Sequence, residues 1–333
     1  MIRSKLVTLE DLGIDSTVAL GDLKSIPSSS LPILTRTSEL RMPDKSLRAH
    51  LYLKHQISEG SFGEIRMATR VDLSGIHQDL LVKSPRLDIQ DIKLEAIIQH
   101  SAYTCLIANR VPWAIPAVYD IFRYGKKTMF SMEYIAGYYL DEWFTKTKQP
   151  DTDFLYMMAQ LSIYLCILHQ CLGLDHRDLK ADNLLISPHP CRLRFQYKTT
   201  VYAIDSPFRL HMLDFGFACL GDSEPPGSNA FLTLGDVLPV IDPCPKEGRD
   251  LFQLLLSLLC IRAIRLVISH TTLASIERWT GKEGIELAEK SLEDIRWIYL
   301  KTSRSFFTCP TSTPYNILRD ILTLAPELFT QLP

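Results

Sequence analysis

Residues 176–183 read His-Arg-Asp-Leu-Lys-Ala-Asp-Asn, and Asp214 follows in Met212-Leu213-Asp214-Phe215-Gly216. Carboxylates, an ammonium and a carboxamide thus crowd one short stretch, with another carboxylate downstream. A carboxylate and an amide can hold a divalent cation through oxygen, and a second carboxylate can orient an attacking hydroxyl. A nearby lysine can neutralise charge on a group in transit. Transfer of a phosphoryl group asks for this set, because it depends on positioning and charge neutralisation more than on covalent catalysis.

Three other segments carry residues of the same kind. Ser58-Glu59-Gly60-Ser61-Phe62-Gly63-Glu64-Ile65 is a glycine turn, and Gly60 and Gly63 would let backbone N–H groups approach phosphate oxygens closely. Lys83 ends the apolar run Leu80-Leu81-Val82, and Glu95 is the only glutamate between Ile65 and Met132, so it is the natural partner of that ammonium. Phe130-Ser131-Met132-Glu133-Tyr134-Ile135-Ala136-Gly137 closes a strand-like run on a turn.

Taken together, these segments resemble the eukaryotic-type protein kinases, whose catalytic loop reads H-R-D-x-K-x-x-N and whose metal-binding triplet is D-F-G. The resemblance implies Asp178 as the group that accepts or orients the substrate hydroxyl proton, and Asn183 and Asp214 as ligands of Mg²⁺. It implies Lys180 as the charge-neutralising lysine of the Ser/Thr-directed class. Ile57, Gly60, Gly63 and Ile65 would cover ATP, and Lys83, fixed by Glu95, would contact its α- and β-phosphates. Met132 would be the gatekeeper, the backbone of Glu133 and Ile135 would meet the adenine edge, and Leu185 would close the pocket from below. Asp250 resembles the buried aspartate that anchors the catalytic-loop backbone. Some large DNA viruses carry divergent kinases of similar Asp-Phe-Gly-Phe-Ala-Cys and Gly-Arg-Asp-Leu-Phe texture.

The chain departs from that pattern at several places. Ser58 replaces the first glycine, Leu81 stands where a small residue is usual, and Gln99 where an apolar one is. Ser187 to Pro207 is an inserted excursion, and no Ala-Pro-Glu occurs between Asp214 and Asp250. Two rival readings follow: a catalytically impaired scaffold on the same fold, and a small-molecule phosphotransferase of the aminoglycoside or choline kinase type.

The elements that must position these residues change character along the chain. Residues 51–57, 65–68 and 80–83 read as antiparallel strands, and Ile89, Ile92, Leu94, Ile97 and Ile98 recur at helical spacing. Residues 118–121 and 128–132 read as two further strands. Beyond Gly137 the pattern is mainly helical, with an amphipathic helix over Phe154 to His169 and an apolar one over Asp250 to Val267. The expected fold is α+β, a bilobal protein-kinase-like fold with a small β-rich N-lobe and a larger helical C-lobe. Residues 1–50 form an N-terminal extension, and 51–333 the kinase domain, divided into an N-lobe at 51–132, a hinge at 133–137 and a C-lobe at 138–333.

Composition narrows the function classes. The 333 residues carry 36 Lys+Arg against 38 Asp+Glu, so no net positive field exists to hold nucleic acid or an acidic membrane. Neither partner is expected; ATP and proteins bearing Ser or Thr hydroxyls are. Eight cysteines without a C-x-x-C pair read as reduced thiols. No apolar leader opens the chain, so the expected location is cytoplasmic, in host cytoplasm or nucleus for a viral protein.

Overall fold

The structure, a computed structural model, describes residues 27–59, 63–86, 92–221, 231–232, 245–292, 298, 302 and 312–333. It has mixed α and β content and divides into two compact units, one drawn from Met1–Thr104 and Pro116–Ile135, the other from Cys105–Ile115 and Ala136–Pro333.

The first unit contains β1 (Ile33–Leu34), β2 (Glu39–Arg41), β3 (Leu47–Glu59), β4 (Gly63–Asp72), β5 (His77–Pro85), β6 (Val118–Tyr124) and β7 (Lys127–Glu133), with most of helix α1 (Lys93–Ala108) between β5 and β6. The seven strands close into a barrel in the order β1-β2-β3-β4-β5-β7-β6, sealed by the parallel pairing of Ile33 with Arg123. Residues 33–50, expected to lie in an extension, therefore supply two strands and the start of a third. Strands of two and three residues are too short to show an alternating pattern in sequence.

Period-two alternation sorts the side chains. Leu34, Leu40, Leu51, Ala68, Leu80, Val82, Phe122 and Met129 form one buried cluster. Their neighbours Leu81, Ile121, Phe130 and Met132 point the other way and pack with Ile92, Ala96 and Ile97 around α1. Lys83, two residues beyond Leu81, faces α1 for the same reason. Asp120 is fully buried, and Arg48 Nε at 2.5 Å, Arg70 Nε at 3.0 Å and Ser131 Oγ at 3.3 Å bind its carboxylate. That charge joins β3, β4, β6 and β7. Gln99 is accommodated because its amide donates to Pro116 O at 2.9 Å.

In the second unit β8 (Tyr138–Tyr139) leads to α2 (Leu140–Lys146) and α3 (Pro150–Leu172), then β9 (Leu174–Asp175), β10 (Leu184–Ser187), β11 (Cys191–Tyr197), β12 (Thr200–Ser206), β13 (Arg209–Met212), β14 (Cys219–Leu220) and β15 (Phe231–Leu232). Helices α4 (Arg249–Cys260), α5 (Arg262–Val267), α6 (His270–Ser291) and α7 (Pro314–Leu324) precede β16 (Phe329–Leu332). The single apolar helix expected from Asp250 to Val267 is two, because Ile261 takes an extended conformation between them. The expected excursion is a hairpin, β11 with β12, and β16 adds to its free side.

Helix α3 is long and apolar enough to cross a membrane, but 56% of its most apolar window is buried within the protein. Gly173 ends it with a left-handed φ of 57° and lies so close to Gly221 O, which a Cβ would meet at 1.8 Å, that no side chain fits. Among the described cysteines, Cys219 departs from the expected all-thiol state by being disulfide-bonded, whereas Cys105, Cys166, Cys171, Cys191 and Cys260 are free.

His211 on β13 bridges two elements, with Nδ1 2.5 Å from Trp113 O and Nε2 2.7 Å from Ser187 Oγ. Because a carbonyl only accepts, Nδ1 carries the proton, and in the neutral ring Nε2 accepts from the serine hydroxyl. Burial pushes the imidazole from 6.5 down to about 4. The unfolded chain thus takes up a proton that the native state refuses, and this contribution, whole above pH 6.5, is lost as pH falls towards 4. Between pH 7 and 4.5 the unfolding free energy should drop by roughly 2–3 kcal/mol more in the wild type than in His211→Gln, measured by urea denaturation. Equal drops would contradict the neutral bridge.

Candidate active site

The candidate catalytic stretch, residues 176–183, begins where β9 ends. Asp250, at the start of α4, accepts the N–H of His176 on Oδ2 and of Arg177 on Oδ1, both at 2.8 Å. Arg177 and Asp214 have φ of 65° and 59°, the left-handed region that side chains other than glycine rarely enter. Such residues cost on the order of 1–3 kcal/mol each and persist where surrounding structure holds them. The Asp250 carboxylate supplies that hold at Arg177, and Gly216 N–H, donating to Asp214 Oδ1 at 3.2 Å, tightens the turn at the other.

Asp178, next in line, is 6% exposed. Lys180 Nζ lies 3.0 Å from its Oδ2 and 3.2 Å from its Oδ1. Asn183 Nδ2 donates to Asp178 Oδ2 at 3.0 Å and to Asp178 O at 2.7 Å. A 3-10 turn over Ala181–Asn183 brings the amide back to the carboxylate. Both amide hydrogens are thereby committed, which leaves Asn183 Oδ1 as the atom able to ligate a cation.

Asp214 reaches the same end of the sheet by strand pairing. Leu184 of β10 is opposite Met212 of β13, so Asn183, just before one strand, and Leu213-Asp214, just after the other, emerge together, with Leu213 N–H donating to Asn183 O at 2.9 Å. His176 Nε2 meets Leu213 O at 2.9 Å and its ring packs 4.9 Å from that of Phe215. An amide oxygen and an exposed carboxylate are hard oxygen donors, the kind that Mg²⁺ takes. The second unit thus brings Asp178, Lys180 and Asn183 into contact and places Asp214 beside them. Leu185, in the next strand position, is buried.

In the first unit Lys83 Nζ contacts Glu95 Oε1 at 2.5 Å, and both side chains are buried. Gly63 lies so close to Ser84 O that a Cβ there would meet it at 2.6 Å. Ile65 packs beside Met132 and Leu81, and Ile57 is 47% exposed. Glu133 is tied to Ala117 twice, by its own N–H to Ala117 O at 2.8 Å and by its carboxylate, which accepts Ala117 N–H at 3.2 Å. Ile135 ends this unit and is half-buried. Gly60 and Ile89 lie outside the described residues.

Asp175, Lys246 and Arg249 escape a reading based on motifs. Asp175 is buried directly ahead of the catalytic stretch, and burial pushes its carboxyl up to about 7, with Arg249 pulling the other way. The only signal is polarity, an aspartate after Leu172-Gly173-Leu174 and an arginine heading an apolar helix.

With this geometry in hand, comparison with known families becomes informative. A family model of the poxvirus serine/threonine protein kinases matches residues 129–223, less than a third of the chain. That stretch contains Asp178, Lys180, Asn183 and Asp214 and ends before Asp250. No curated protein matches the chain. Over the matched residues the protein is similar to these kinases, as a divergent viral-type kinase-like protein would be.

The buried pair in the first unit allows a direct test. Lys83→Met removes the ammonium from beside the buried Glu95 carboxylate, so it should lower unfolding free energy by roughly 3–5 kcal/mol, whereas Lys83→Met with Glu95→Leu should recover most of the loss. A single-variant cost of about 0.5 kcal/mol or less, typical of exposed pairs, would show that solvent screens the contact.

Proposed function

We propose that the protein is an ATP-dependent Ser/Thr protein kinase, its two units corresponding to the small and large lobes of that fold. The observation that carries this reading is the buried Asp178 carboxylate, held between the Lys180 ammonium and the Asn183 amide on a backbone fixed by Asp250. A carboxylate so fixed can orient a serine or threonine hydroxyl and take its proton as the oxygen attacks the γ-phosphorus. Lys180 keeps positive charge next to that carboxylate, where negative charge gathers on the transferred oxygens. Asn183 Oδ1 and Asp214 would hold Mg²⁺, which supplies charge neutralisation when bound. Lys83, fixed by Glu95, would take the α- and β-phosphates. The poxvirus kinase match supports protein rather than small-molecule substrates, as does Lys180.

Asp178→Asn should reduce phosphate transfer from radiolabelled ATP to protein Ser/Thr acceptors by about 10²–10⁴-fold while leaving ATP affinity within about threefold. Full turnover by the variant would remove Asp178 from the reaction. Wild-type transfer to sugars or amino alcohols, with none to proteins, would favour the small-molecule reading, and nucleotide binding without any transfer would favour the scaffold.

A further inference from the structure

Two buried carboxylates, Asp250 and Asp175, take backbone amides from each other's flanking segments at the base of the candidate catalytic stretch. Asp250, on α4, takes amide hydrogens from His176 and Arg177. Asp175, on β9, reaches in the opposite direction: its Oδ2 accepts Lys246 N–H at 2.6 Å and forms an ion pair with Arg249, whose Nε lies 3.3 Å away. Asp175 is 4% exposed and Arg249 1%. The backbone of Asp175 is also paired with Cys219 of β14. Lys246 itself is buried, its ammonium donating to Thr302 O at 2.6 Å. One residue thus touches the strand that follows Asp214 and the residues that end the stretch before Asp250, a stretch with no Ala-Pro-Glu of its own.

We infer that Asp175 is a positioning residue that fastens the C-terminal end of the 214–250 segment to the root of the catalytic stretch, so that acceptor binding depends on it while ATP binding does not. The kinetic half of this inference rests on the proposed kinase reading; the anchoring half does not. A buried ion pair of purely structural value is replaceable by apolar residues of similar volume. The Lys246 amide, by contrast, needs an oxygen to receive it.

Three variants of the full chain separate these cases: Asp175→Leu, the double variant Asp175→Leu with Arg249→Met, and Asp175→Asn, which keeps an acceptor oxygen. Hydrogen–deuterium exchange should be about tenfold faster over residues 245–250 in both leucine variants and within about threefold of wild type in Asp175→Asn. Residues 176–178, held by Asp250, should exchange as in wild type. The double variant should recover the thermal stability lost in Asp175→Leu, yet keep a KM for the protein acceptor raised about tenfold with the KM for ATP within about twofold. Recovery of slow exchange and of acceptor KM together with stability would overturn the inference and leave a merely structural pair. Absence of transfer in the wild type would defeat the kinase reading alone, and the exchange pattern would then decide the anchor by itself.

Discussion

A carboxylate inside an apolar helix has to be satisfied, and Asp250 is satisfied by the backbone of the catalytic stretch. Helix α4 is buried along almost its whole length. An unpaired charge there would cost several kcal/mol, whereas hydrogen bonds to a charged group contribute on the order of 1.5–3 kcal/mol each. The two amides of His176 and Arg177 therefore cannot slide past Asp250 without stranding it. Fixing those amides holds Arg177 in its left-handed conformation, and the next residue is Asp178. The orientation of the Asp178 carboxylate thus begins in the core.

The same device recurs elsewhere. Asp120 draws Arg48, Arg70 and Ser131 from three strands, so that the barrel that carries Lys83 cannot shear without exposing a bare charge. Asp175 and Arg249 repeat it beneath the catalytic stretch. In each case hydrophobic alternation sets which side chains point inward, and a buried charge with partners from distant strands or helices sets the register. Hydrophobic burial alone tolerates small shifts, because it is roughly proportional to area and has no direction.

The candidate site residues are legible in the sequence because the chemistry they suggest restricts their types and spacing. Asp178, Lys180 and Asn183 lie within one turn of chain, and Glu95 stood out as the only glutamate available to Lys83. What escaped depends on long-range pairing. Nothing in Phe329–Leu332 announces that it joins Thr200–Ser206, and Ile33–Leu34 is too short to declare itself the strand that closes a barrel against Arg123. The break at Ile261 was hidden by unbroken hydrophobicity, which cannot distinguish one buried helix from two. A lone aspartate such as Asp175 gains meaning only when the fold places Lys246 and Arg249 beside it. The Pro150 start of α3 was readable, since proline favours the first turn of a helix, but hydrophobic periodicity drew attention to Phe154 instead.

In the proposed reading, Asn183 Oδ1 and Asp214 would form the oxygen end of a metal–nucleotide site beside Asp178. Its most direct test is the NMR signal of the Asn183 side-chain amide when Mn²⁺ is added with a non-hydrolysable ATP analogue, since a paramagnetic ion broadens only nuclei close to it. The account predicts broadening of that signal in the wild type and its loss in Asp214→Asn. A sharp, unshifted Asn183 amide in the presence of bound Mn²⁺ and nucleotide would contradict it.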